Sequence, residues 1–493
     1  RPEWVIACFG IISCGAIMVP IDAKLSEKEI QFILNDSQAK VIFTSEKHLS
    51  SLDSISSVLQ HLTNIISLDN VEHNDITLLK NLKLRKGDKK YNPIYPEDTA
   101  VIVYTSGTTG VAKGVELSYK NVLFQVVALS DIIKYSAKDQ FLSILPLNHM
   151  LEITGGLIAP LYAGSRITYC HSLKTTTLIS LMKETRTTVM ISVPLVLKML
   201  HDGIIKKVSN LPPIKRRIFD LLFNISKFLL RFNIRAGKVF FRAVHNEFGG
   251  KLRALVSGGA PLNLDVEVNL NALGFRVLQG YGLTETSPVI SVNSFRSSKF
   301  GSVGKPLQGT EVKILKEDKD AKDGAILTRG PHIMKGYYKN TEKTADIIKD
   351  GWLHTGDIGY LDNDEFLYIS GRLRNLIVLG AGKKVFPEEV EEVIGKSPCI
   401  KEVCVIAKVA TRGVRAGCEE VYAVIVPDVD SFDESDRADA RAVKEKIASE
   451  ISRLGKNLAE YKRIVDFEIR MDELPKTATK KIRRNEVSKS LVA

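Results

Sequence analysis

Two hydrophobic periods alternate along the first three hundred residues. Short apolar runs ("KVIFT", "TAVIVYT", "QFLSILPL", "SRITYC", "TTVMISVP" and "LRALVSGG") lie between stretches of helical periodicity. Such alternation predicts an α/β fold with mainly buried strands. A helix start is written at Leu25–Ile30: Ser26 is placed to cap the Glu29 amide, Glu29 to reach back, and Leu25 to staple onto Ile30. The stretch at 83–98, polar and Pro-containing, reads as a connection. Past residue 300, "GSVGKPLQGTEVKIL", "GAILTRG" and "EFLYISGRLRNLIVL" are separated by Gly, Asp and Asn turns, which predicts antiparallel strands. From Pro387 a short helix "PEEVEEVIG" leads into strands "EVCVIAKV" and "VYAVIVP", an acidic loop, a charged helix and a final basic run. These last ~120 residues suffice for a small α+β domain. We place the boundary near Gly371–Arg374, giving domains 1–373 and 374–493.

One stretch tests that picture. Trp4 to Ile21 carries no charge over 18 residues, the length at which a membrane-spanning helix is considered. Its Gly and Ser interruptions, Pro20 and the strand-like "IMVPID" predict instead a buried helix followed by a buried strand. Six cysteines without a CxxC pair or a paired His suggest neither zinc nor a disulfide framework. They fit a reducing compartment, and a cytoplasmic location is the expectation. The first residue is Arg1 rather than Met, so an N-terminal segment is expected before it.

The formal net charge is +12, but it is local: Lys206 to Arg253 holds 12 Lys/Arg against Asp220 and Glu247 alone. Within it, Asp220, Asn224, Lys227, Arg231 and Arg235 form one polar stripe on a helix otherwise made of Ile, Leu and Phe. Two readings stand: a core helix with one solvent-facing stripe, or a basic amphipathic helix in peripheral contact with an anionic membrane. Nucleic acid is not an expected partner, because the aromatics sit on the apolar face rather than among the charges.

The densest chemistry lies in "YTSGTTGVAKGV", Tyr104 to Val115, which follows a predicted strand. Glycines let a backbone approach a ligand and aim successive N–H groups at it, while hydroxyls and an ammonium complement phosphate. It is not a Walker loop. With Gly107 as the first glycine, Ala112 falls where Gly is required and Gly114 where Ser or Thr must meet Mg²⁺.

"YTSGTTGVAKGV" resembles the phosphate-loop signature of the adenylate-forming (ANL) superfamily. Six further stretches follow in that family's order: "PLNHMLE" (146–152), "SGGAPL" (257–262), "GYGLTETSP" (280–288), "GWLHTGDIGYLD" (351–362), "GRLRNLIV" (371–378) and "LPKTATKKIRR" (474–484). The segment before "SGGAPL" and the stretch "GRLRNLIVLGAGKKVFPEEVE" look most like long-chain fatty acyl-CoA synthetases. The resemblance implies a large α/β N-terminal domain with a β-rich subdomain, and a small mobile α+β C-terminal domain. It also implies ATP-dependent activation of a carboxylic acid to acyl-AMP with Mg²⁺, then transfer to CoA or, in a close variant, to acyl carrier protein. The other reading is a nucleotide- or membrane-binding member of the same fold that has lost catalysis, and the intact Glu285, Asp357 and Lys481 argue against it.

Residue by residue, the resemblance implies that Thr105, Ser106, Gly107, Thr108, Thr109, Gly110 and Lys113 cradle the β- and γ-phosphates. Glu285, with Thr105, would hold Mg²⁺, and Thr284 would meet the α-phosphate. Gly259, Ala260, Pro261 and Tyr281 would line the adenine, Gln279, Gly280 and Gly282 would belong to the same ATP-binding site, and Asp357 with Arg372 would grip the ribose. His149 would sit beside the acyl carboxylate. Arg374 falls at the hinge, where the family carries Asp or Lys, and Gly380, Gly382 and Lys383 lie on the loop facing CoA. In "LPKTATKKIRR" Lys481 takes the place of the catalytic lysine. Lys480 stands where Gly is usual, so the assignment between the two lysines needs a direct comparison. Lys476, Arg483 and Arg484 are left as solvated or structural charges.

Overall fold

The computed structural model describes residues 1–71, 76–82, 93–106, 112–318, 320–379, 383–410, 417–433, 437, 439–476 and 482–491. Packing divides the chain into two compact units, Arg1–Val312 with Thr328–Leu353 and Lys313–Leu327 with His354–Ala493. A domain boundary at 373/374 stays a proposal.

In the first unit a seven-stranded sheet runs in the order Lys305–Pro306, Val289–Val292, Val277–Gly282, Ala254–Ser257, Val189–Ser192, Gln140–Ser143, Arg166–Tyr169. The strands from Val277–Gly282 onward are mutually parallel, and the first two are antiparallel. Helices cover the parallel part, so Val189–Ser192 and Ala254–Ser257 are buried throughout. That is why these strands read as continuous apolar runs rather than alternating ones. A smaller sheet pairs Thr99–Ser106 with Ala112–Ser118 as an antiparallel hairpin, and Gly336–Tyr337 joins its other edge. The capping box at Ser26 and Glu29 is formed, and Leu25 packs with Ile30.

The N-terminal stretch departs from expectation. Pro2–Ser13 is a helix, but only Ala7 and Cys8 are buried along it, while Ile6, Phe9 and Ile17 are exposed. The expected strand shrinks to one bridge: the Met18 amide donates to Ala100 O (3.0 Å) and its carbonyl accepts from Ile102 (2.9 Å). The next donor in that ladder would be residue 20, a proline without an N–H, so pairing stops. Among the described residues no helix is long and apolar enough to cross a membrane.

The helix Pro213–Leu230 is not a core helix either. Only Ser226 and Leu230 are buried along it, with Phe219, Leu222 and Phe223 half-buried. Of the polar stripe, Asp220, Asn224 and Arg231 face solvent, Lys227 lies 4.7 Å over the Phe223 ring, and Arg235 turns inward to donate to Asn271 Oδ1 (2.9 Å).

The second unit carries a sheet of Ile400–Val409, Glu419–Pro427 and Asp466–Ile469, antiparallel then parallel. Helices Pro387–Ile394 and Ala440–Gly455 share its core with Val405, Ala423 and Ile425. This is the small α+β body expected of the C-terminal region.

Candidate active site

The strands on either side of the glycine-rich run pair with each other. Thr105 pairs with Lys113 and Ser106 with Ala112, while Gly107, Thr108, Thr109 and Gly110 lie outside the described residues. Gly114 is required just below: a Cβ there would stand 2.8 Å from Ile102 Cγ2 and 3.2 Å from Tyr338 Cβ. That close approach lets the Tyr338 amide donate to Gly114 O at 2.7 Å and brings Gly336–Tyr337 alongside the hairpin.

Tyr337 is thereby placed in the site. Lys113 Nζ lies 5.0 Å from the centre of its ring, and its phenol donates to Glu285 Oε1 at 2.9 Å. Burial first, then the Glu285 charge, pushes the Tyr337 phenol up, so it stays a donor. Glu285 sits in the 3₁₀ turn Thr284–Thr286 and is half-buried. The turn is clamped: Gln125 Nε2 donates to Thr286 O (2.9 Å) and Val289 O (2.7 Å), and the Met334 amide donates to Glu285 O (3.0 Å). Thr286 Oγ1 donates to Pro288 O at 2.7 Å, and a Cβ at Gly282 would lie 1.8 Å from that same oxygen. A carboxylate on so fixed a backbone needs no reorganisation to meet a cation.

The adenine candidates emerge side by side. Ser257 and Gln279 pair across parallel strands, so Gly259–Pro261 and Gly280–Gly282 leave from neighbouring carboxyl ends, the usual ligand crevice of open α/β sheets. Gly259 takes φ +83°, a left-handed conformation suited to glycine. Tyr281 is half-buried. Gln279 is buried, and its Nε2 donates to Glu267 Oε2 at 2.7 Å.

His149 follows the strand Gln140–Ser143, and its carbonyl accepts from the amides of Glu152 and Ile153, both at 3.0 Å. There the chain enters a π-helix, Glu152–Ile158, a wide turn often found at functional positions. Glu152 is buried, and neither carboxyl oxygen has a hydrogen-bond partner among the described residues. Burial, opposed by the nearby Ser143 hydroxyl, pushes the carboxyl up to about 8, so it is mostly protonated at neutral pH. Gly156 makes the room: a Cβ there would stand 2.6 Å from Glu152 Oε2.

In the second unit Asp357 and Arg372 face each other across antiparallel strands, with Arg372 Nε 3.1 Å from the buried Asp357 Oδ1. Arg374 lies in the short turn that follows, its guanidinium pushed down by burial and by Arg372. Gly380 and Gly382 fall outside the described residues, but the stem of their loop is closed by Val378 pairing with Lys384. Lys383 Nζ lies 4.7 Å over the Tyr461 ring. Lys480 and Lys481 also fall outside. Their run leaves and returns through one bridge, Lys476 to Ile482, reinforced by the Arg483 amide donating to Pro475 O at 2.7 Å.

The flanking basic residues are structural. Lys476 pairs with Glu402 and Glu473, Arg483 with Glu486, and Arg484 with the half-buried Glu388 and Glu391.

The model of the family described as "AMP-binding enzyme" matches residues 1–338, and that of its C-terminal domain matches 389–481. The chain belongs to the AMP-binding enzyme family. Among curated AMP-binding relatives, a peroxisomal long chain acyl-CoA synthetase of Arabidopsis thaliana is 32% identical over 80% of this chain and 60% of its own length. The chain thus spans about three fifths of that relative. A chloroplastic long-chain-fatty-acid–acyl-carrier-protein ligase of the same plant is 29% identical over 98% of this chain and 76% of its own. Among solved structures, the anthranilate CoA ligase AuaEII in complex with anthranoyl-AMP aligns with a TM-score of 0.76 at 23% identity, over 99% of this chain and 85% of that one. The fold is therefore that of the family, a large α/β N-terminal domain with a smaller C-terminal one.

Sequence reasoning missed Tyr337 altogether and quoted Glu152 without a role. Tyr337 lies 52 residues from Glu285, and no spacing links them; only the edge pairing of Gly336–Tyr337 does. Glu152 had one signal, an acid amid apolar residues in "PLNHMLE".

Proposed function

We propose that this chain activates a long-chain fatty acid with ATP, forming acyl-AMP and pyrophosphate, then transfers the acyl group to CoA with release of AMP. The observation that carries this reading is the Lys113–Tyr337–Glu285 cluster, set at the stem of the glycine-rich hairpin. One anion must attack another at the α-phosphorus, so the site needs cations and oriented donors in a protected place. Lys113, Thr105, Ser106 and the tip 107–110 cradle the β- and γ-phosphates, and Thr284 meets the α-phosphate. Glu285 and Thr105 would hold Mg²⁺, which binds nucleotide through one or two protein carboxylates and neutralises phosphate charge when present. A single clamped carboxylate fits that requirement.

Gly259 to Pro261 and Tyr281 line the adenine, Asp357 and Arg372 hold the ribose, His149 stands by the acyl carboxylate, and Lys481 bridges carboxylate and α-phosphate. Rotation at Arg374 would bring Gly380, Gly382 and Lys383 to the thiol substrate. Gln279 acts as a strut through Glu267. Because one relative's name is that of an acyl-carrier-protein ligase, carrier protein is the alternative acceptor. Peripheral contact of residues 206–253 with an anionic membrane belongs to the same reading, supported by their charge.

The test is carboxylate-dependent ATP–pyrophosphate exchange over acids from hexanoate to stearate, with CoA and holo-carrier protein offered in parallel. Absence of exchange with every acid would refute the activity, and the acceptor consumed decides between thioesters.

A further inference from the structure

The helix Pro213–Leu230 buries one face and leaves the opposite one bare. On the inner side Ser226 Oγ donates to Ala272 O at 2.6 Å, and Phe219 packs on Phe223 and Phe241 with ring centres 5.7 and 4.9 Å apart. On the outer side stand Ile214, Ile218, Leu221, Ile225 and Phe228, with Phe232 just past the helix end, all between 39% and 74% exposed. Their intervals of four and three keep the five helical residues within an arc of about 80°, and the row runs for roughly 27 Å. No polar residue interrupts it. An apolar row of this size on a soluble surface marks a contact surface.

The charges beside the row say what it contacts. Lys215 and Arg217 stand to either side of its start, and Arg231 stands exposed at its end. The surrounding segment 206–253 carries 12 Lys/Arg against two acids. A second copy of this chain, meeting the row by a two-fold axis, would press this positive surface against itself. An anionic bilayer offers both complements at once, acyl chains for the row and phosphates for the flanks.

We propose that the Ile214–Phe232 row lies in the interfacial layer of an anionic membrane, with the flanking lysines and arginines on lipid phosphates. This rests on the membrane contact proposed for residues 206–253 and names the face that makes it. It is independent of the ligase activity.

Flotation of the full chain with phosphatidylcholine vesicles, with and without phosphatidylglycerol, tests the proposal. The chain should float with the anionic vesicles, at least about tenfold more than with neutral ones. Ile218→Asp with Phe228→Asp, or the milder Leu221→Ser with Phe228→Ser, should abolish flotation with an unchanged melting curve. Lys215→Glu with Arg217→Glu should remove the preference for anionic lipid. Failure of the unaltered chain to float overturns the membrane contact as a whole. Flotation untouched by both row variants leaves that contact standing and overturns this face. A dimer that the row variants dissolve, or carrier protein that displaces vesicles, makes the row a protein interface and overturns the proposal.

Discussion

The Tyr337 phenol donates to Glu285 Oε1 at 2.9 Å while its ring lies 5.0 Å beneath Lys113 Nζ. One side chain from a two-residue edge strand thus touches both the proposed phosphate cation and the proposed Mg²⁺ ligand. Tyr337→Phe keeps the ring and removes the donor. A hydrogen bond to a charged group is worth about 1.5–3 kcal/mol, so ATP–pyrophosphate exchange should fall ~10-fold or more, with little change in melting temperature. An unchanged exchange rate would take Tyr337 out of the site.

Lys481→Ala should abolish acyl-adenylate formation and leave thioester formation from supplied acyl-AMP largely intact. A mobile point charge matters most where charge develops in the transition state. Lys480→Ala is the comparison: if it, and not Lys481→Ala, stops adenylation, the two lysines exchange roles.

Arg484 belongs to the same basic run but answers differently. It pairs with Glu388 at 3.1 Å and with Glu391, inside the second unit. Removing the shared partner of two half-buried carboxylates leaves them uncompensated, at a cost of about 1–3 kcal/mol. Arg484→Ala should therefore lower the denaturation midpoint strongly, whereas Lys481→Ala should not move it. Chemical denaturation of both variants checks this.

Glu152 supplies a pH test. Its folded pKa, raised to about 8 by burial, lies above its ordinary value of 4.5, so the folded chain holds a proton that the unfolded chain has released. Its contribution to stability is full below pH 4.5 and is lost as pH rises toward 8. Glu152→Gln mimics the neutral acid and removes this dependence. The stability of the natural chain relative to the variant should fall with rising pH by up to ~1.4 kcal/mol per unit. Urea titrations from acid to mildly alkaline pH measure it, and a pH-independent difference would contradict the assignment.

Much of this was legible in the sequence, and for identifiable reasons. The parallel strands were readable because burial on both faces makes them continuous apolar runs, as in "TTVMISVP". The Ser26–Glu29 cap was readable because its partners are three residues apart. The Gln279–Glu267 hydrogen bond was not legible, because a strand's last residues can face either a ligand or the core and the partner lies on another element.

The sequence by itself determined the order of strands and helices, the family motifs, and the local density of positive charge. Local period and short-range spacing encode those properties. Tertiary structure alone decided that Tyr337 meets Glu285, that Glu152 is sealed from water, and that the apolar row of Pro213–Leu230 stays uncovered. Hydrophobicity records a preference for burial. Whether another element is there to cover the residue, or a distant donor is there to meet a carboxylate, depends on how remote segments pack.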